Sequence, residues 1–150
     1  MNQYQEMRDR QQKEFNALPL GFAFARKQFN EMMRGWGLHP ERDVKKVCAI
    51  GAGGYIQKKD VDVLLQTNTR HKQELAAAIE ADTTGDGFIF QMFYAELANH
   101  EYGYTGDAED ALAALGYTLE QVQTDQRLRK GFERACREIM KEETNGKSTG

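Results

Sequence analysis

The chain has 150 residues, a formal net charge of −3, two cysteines and 29% charged residues. A chain of that length suits one domain and buries roughly two-thirds of its unfolded surface, so no metal or disulfide staple is needed for folding. The mild acidity selects neither nucleic acid nor a membrane as partner, and Cys48 and Cys136 read as reduced, buried thiols.

The opening MNQYQEMRDRQQKEF has no apolar core, which excludes a signal peptide, and no transmembrane segment follows; the expected location is the cytoplasm. Residues 2–18 form a polar helix in which Tyr4, Met7, Gln11, Phe15 and Leu18 make one thin stripe. Pro19 and Gly21 end it. A second helix starts near Phe24, carries Phe29, Met32, Met33 and Trp36, and loosens at Gly35 and Gly37. Val47 to Ile50 and Tyr55-Ile56 flank Gly51-Ala52-Gly53-Gly54 and read as a β-hairpin over about 46–57. Two strands alone are marginal, so the hairpin must pack on helices, and Lys45, Lys46, Lys58 and Lys59 at its base blunt its edges.

Asp60 is placed to cap a helix over about 61–81, continuous or broken near residues 67–69. Phe88, Ile89, Phe90, Met92, Phe93, Tyr94, Ala95, Leu97 and Ala98 then leave only Gln91, Glu96 and Asn99 for water. A helix apolar on nearly every side is a buried core helix, here over about 88–102. A short helix over 108–115 follows. Thr118 and Gln121 have the spacing of a capping box, and a last helix runs over about 125–142. The fold class is mainly α (α+β): a helical domain over 1–143 around one buried helix, with a small hairpin, and a polar flexible tail over 144–150.

Four constellations carry chemistry. Asp82, Thr84 and Asp86 occupy the first, third and fifth positions of a calcium loop, with Gly87 as the turn glycine and Ile89 as the apolar eighth residue. The twelfth position, where a bidentate glutamate belongs, is Phe93, and Glu96 comes three residues late. The alternative is an acidic turn capping the buried helix. Glu96 and His100 share a helix face, as do His71 and Glu74; packed antiparallel they present four transition-metal ligands, and otherwise Glu96 and His100 pair with each other. Ile50 to Tyr55 is glycine-rich but returns as a strand rather than a helix, so it reads as a turn and not a phosphate cradle. Arg127, Lys130, Arg134, Arg137 and Lys141 form a basic stripe on the last helix, beside Glu133 and Glu138. Tyr102 and Tyr104, next to His100 and Glu101, either line a polar pocket or seal the end of the core. No nucleophile constellation is present, and the only serine is Ser148.

The stretches LPLGFAFARKQF, IGAGGYI, GDGFI with ELANHEY, YTGD and LGYT, spread over about residues 15–139, resemble an uncharacterised family of small proteins carried by gut Firmicutes and their phages and mobile elements. That resemblance carries no established activity and implies context alone: a cytoplasmic accessory protein of a mobile element, and small accessory proteins of that kind often act by binding a host or defence protein. No cofactor or catalytic residue is expected. The resulting expectation is a non-enzymatic interaction protein, such as an anti-CRISPR-like inhibitor of a host defence nuclease. Its surface comprises Asn99, His100, Glu101, Tyr102, Tyr104, Asp107, Tyr55 and Lys58, and its partner is a protein. One alternative is a metal protein or metal-dependent enzyme using His71, Glu74, Glu96 and His100, or calcium at Asp82 and Asp86. The other is nucleic-acid binding through the basic stripe with Lys45 and Lys46.

Overall fold

The computed structural model describes residues 2–149, with side chains for 2–146. The chain forms two compact units: residues 10–73, and residues 1–9 together with 74–150. Helix α1 (Gln3–Asn16) and helix α3 (Val61–Ala81) contribute residues to both. The fold is mainly helical with a small antiparallel sheet.

In the unit of residues 10–73, β2 (Val47–Gly51) and β3 (Gly54–Gln57) form the expected hairpin. Its two-residue turn is Ala52 (φ 50) and Gly53 (φ 76), both left-handed, as a type I′ turn requires. Val47 pairs with Gln57, so Lys45, Lys46, Lys58 and Lys59 leave the hairpin at the same end. A third strand, β1 (Leu20–Phe22), pairs with β3 and gives the order β1-β3-β2. Ile56 lies between Leu20 and Cys48 and is fully buried. The third strand supplies pairing that a lone hairpin lacks. Helix α2 (Arg26–Gly35) begins two residues later than the sequence suggests and leaves Phe24 in a bend, its N–H donating to Gln28 Oε1 at 2.7 Å. Met33 is the buried residue of α2, and Phe29 meets Tyr55 edge to face at 5.4 Å. Asp60 closes a 3-10 turn (Lys58–Asp60) that leads into α3 rather than standing as a separate cap, and α3 is unbroken through residues 67–69.

In the other unit, α4 (Phe88–Asn99) is the centre of the core. Phe88, Ile89, Met92, Phe93, Ala95 and Leu97 are buried, whereas Ala98 is exposed. The helix stops three residues short of the expected bound of 102, because Glu101 turns left-handed (φ 57). The chain resumes as α5 (Tyr102–Thr105), then α6 (Glu109–Ala114), α7 (Leu119–Thr124) and α8 (Gln126–Thr149). The Thr118–Gln121 capping box is formed, with Gln121 N–H donating to Thr118 Oγ1 at 3.1 Å and Thr118 N–H to Gln121 Oε1 at 2.8 Å. Helix α8 continues to Thr149, well past residue 142, so the backbone of 144–149 is helical; Gly150 lies outside the described residues. The N-terminal turns of α1 belong to this core through Tyr4, which is fully buried and meets Phe88 edge to face at 6.0 Å.

Helices α4 and α8 approach closely at Gly131. A Cβ there would lie 2.7 Å from both Gly85 O and Ile89 Cγ2. Overpacking of that kind costs about 2 kcal/mol. Gly131→Ala is therefore expected to lower unfolding stability by about that amount in urea titration. Gly35→Ala, in a helix position with nothing within 4 Å, is expected to be neutral or to add about 0.5 kcal/mol.

Candidate functional site

The Asp82–Gly87 turn is organised by one carboxylate. Asp82 Oδ1 accepts N–H bonds from Thr84 (3.1 Å) and Gly85 (2.9 Å), and Oδ2 accepts from Gly87 and Ile89 (3.0 Å each). Burial is the largest influence on its acidity and pushes the pKa up, but the amides of Ile89, Gly85, Thr84 and Gly87 together outweigh it and hold the pKa below the ordinary value. The carboxylate thus serves the start of α4, in line with the capping alternative. Asp86 faces elsewhere: Lys130 Nζ lies 2.9 Å and Arg134 Nη1 3.5 Å from its oxygens. Phe93, at the twelfth loop position, is buried core.

The Glu and His candidates are engaged separately. Glu96 Oε1 accepts the Tyr4 hydroxyl at 2.6 Å, and Arg8 Nε donates to that hydroxyl at 3.1 Å. Burial first, then the Glu96 bond, pushes the Tyr4 hydroxyl up to about 12. His100 Nδ1 lies 2.8 Å from Glu96 O and 3.5 Å from Glu96 Oε2, the pairing within one helix. In the unit of residues 10–73, His71 Nε2 is 3.1 Å from Glu14 Oε2, and Arg70 Nη2 is 2.7 Å from the same oxygen. Arg70, then His71, draws the Glu14 carboxyl down to about 2. Among the described residues no three His, Cys, Asp or Glu side chains, Glu74 included, form a group able to hold a metal ion.

Much of the basic stripe of α8 is occupied inside its own unit. Arg127 Nη1 donates to Ile79 O (3.1 Å) and Asp82 O (2.7 Å). Lys130 and Arg134 share Asp86, and the Arg134 guanidinium stands 4.0 Å from the Phe90 ring centroid. Lys141 Nζ lies 3.8 Å from Glu138. Arg137 is exposed.

The segment after α4 is a braced display. The Cys136 thiol beside the Tyr102 hydroxyl, together with burial, pushes that hydroxyl up to about 12. Tyr102 thus seals the core rather than lining an open pocket. Gly106 turns left-handed and its N–H returns to Tyr102 O at 2.8 Å. Asp107 Oδ1 accepts from Glu109 N–H at 2.9 Å and opens α6. Between these anchors Tyr104 is 85% exposed, with Asn99 and Glu101 exposed nearby. Asp107 also edges an open cleft of about 560 Å³ lined by Glu109, Leu112, Ala113, Tyr117 and Leu119. The sequence reading missed these cleft residues, because Leu112 and Leu119 look like helical core positions.

Tyr55, Lys58, Lys45 and Lys46 belong to the unit of residues 10–73, so the residues expected to form the interaction surface are divided between the two units. The same unit holds two exposed rings that sequence reasoning does not single out as functional: Phe24 (76% exposed), which lines a recess with Tyr55, and Phe22 (56% exposed), which pairs with Gly54 in the sheet. Their signal in the sequence is the pair of rings in Phe22-Ala23-Phe24, just before α2.

Residues 3–138 match the model of the family of unknown function DUF7659, and the chain belongs to that family. No curated protein and no solved structure matches it. No described helix is long and apolar enough to cross a membrane.

Because the folded pKa of Asp82 is depressed, its contribution to stability is present above the unfolded value, about 3.9, and is lost as pH falls through the folded value. Asp82→Asn is expected to cost about 2 kcal/mol at neutral pH, since bonds to a charged acceptor are lost. The variant should lose less further stability between pH 4 and lower pH than the parent does, a comparison made by denaturant titration across pH.

Proposed function

With that family membership as the premise, we propose that the chain is a non-enzymatic accessory protein of a phage or mobile element, acting in the cytoplasm by binding another protein. Tyr104 carries this reading: a large amphipathic side chain, 85% exposed, is presented by a short helix held at both ends. Tyrosines are frequent anchors of protein interfaces, and a pre-organised backbone lowers the ordering cost of binding. The adjoining cleft, with half-exposed Leu119 and the acidic Asp107 and Glu109, offers an apolar floor with a charged rim. The finer reading is inhibition of a host defence nuclease, in the manner of an anti-CRISPR protein; it rests on the expectation that the family is carried by phages and mobile elements.

Tyr104→Ala removes an exposed ring, so its melting temperature should match the parent's. Tagged parent and variant are used to capture partners from nuclease-treated host lysate, and the retained protein is purified for calorimetric titration. A stoichiometric partner that binds the variant about thirtyfold more weakly is the expected result. Inhibition of that partner's nuclease activity tests the finer reading. Equal affinity of parent and variant would remove Tyr104 from the interface and sink the proposal as drawn.

A further inference from the structure

The charge of the chain is unevenly distributed. Residues 10–73 hold twelve Lys and Arg against six Asp and Glu, a net +6, whereas residues 1–9 with 74–150 hold eight against seventeen, a net −9. The whole-chain value of −3 conceals this division. A basic unit of 64 residues attracts polyanions, and charge asymmetry between parts of a chain is a sign of nucleic-acid contact.

The same unit displays aromatic rings. Phe24 is fixed from several sides although 76% exposed. Ala23 N–H donates to Gly53 O at 2.9 Å, Phe24 N–H donates to Gln28, and the Phe24 ring lies where a Cβ on Gly53 would fall. Beside it is an open recess of about 510 Å³ lined by Phe24, Arg26, Phe29, Val44 and Tyr55. The Arg26 guanidinium stands 5.6 Å from the Phe29 ring centroid. Lys45 follows Val44 directly, and Lys58 leaves the hairpin at the same end. Lys46 and Lys59 pair with Asp43 and Asp60, while Lys45 and Lys58 form no salt bridge among the described residues.

We infer that this face binds single-stranded nucleic acid, with a base stacked on Phe24, a second in the recess beside Phe29 and Tyr55, and phosphates held by Arg26 and Lys45. Exposed ring faces set among cations are what unpaired bases and their phosphates require together. A duplex hides its base faces, and an acidic polypeptide offers charge without rings to stack. The site lies within residues 10–73, whereas Tyr104 belongs to the other unit.

The test is fluorescence anisotropy of the full chain with labelled oligo-dT and oligo-U of about ten nucleotides, at about 50 mM salt and then at rising salt. Binding of either, or both, is expected, with a log–log salt slope near −0.7 for each phosphate neutralised. Phe24→Ala should weaken binding about tenfold and leave the salt slope unchanged. Arg26→Gln and Lys45→Gln should each make the slope shallower by about 0.7. Thermal melts verify that the variants fold. Absence of binding to both oligonucleotides overturns the inference. So does unchanged affinity of folded Phe24→Ala, or displacement of the oligonucleotide by poly-glutamate as readily as by unlabelled oligonucleotide.

Discussion

Four backbone N–H groups converge on the carboxylate of Asp82, and the core of its unit depends on that convergence. The loop before α4 would otherwise leave several donors unsatisfied at the start of a helix whose sides are buried. Fixing the loop sets where Gly85 lies, and Gly85 meets Arg127 and Gly131 of α8 at backbone distance. That meeting fixes how deeply Ile89 and Phe93 enter the core. A bound cation in a calcium loop gathers carboxylates; here one carboxylate gathers amides, and the turn is ordered by the opposite sign of charge.

The electrostatics of α8 follow from the same loop. Arg127 reaches the carbonyls of Ile79 and Asp82, and Lys130 and Arg134 take Asp86. These cations stabilise the geometry of an acidic unit, which leaves a smaller share of the stripe for an external polyanion. In the unit of residues 10–73 the cations outnumber the acids, and Arg26 lies beside the Phe29 ring in the recess that Phe24 lines. Spacing along the chain reveals the α8 stripe, and Lys45 with Lys46, as candidate nucleic-acid cations, but it carries no information on which of them pair inside the fold.

The mainly helical class, the hairpin, the apolar α4 and the Thr118 capping box were legible because each has a local cause: periodicity, paired turn glycines, or a polar residue at fixed spacing. Strand β1 was not. Three residues behind a proline carry no alternation, and they become a strand only because β3 has an open edge beside them. The end of α4 was hidden too, since the polar run Asn99-His100-Glu101 holds no glycine or proline to mark a stop, whereas the chain turns left-handed at Glu101. His71 and Glu96 read as two of four ligands for one metal ion because the side chains they bond, Glu14 and Tyr4, lie far away in sequence.

The nesting of the units bears on how the protein is made. Residues 10–73 are continuous, whereas the α4 core draws on Tyr4 at one extreme and α8 at the other. On the ribosome, residues 10–73 emerge as a complete set while Tyr4 still lacks Glu96 and Phe88. When α4 emerges, its apolar faces stay uncovered until α8 has been synthesised. That interval exposes the most aggregation-prone helix of the chain during translation, and it makes the speed of elongation through residues 100–149 a determinant of soluble yield.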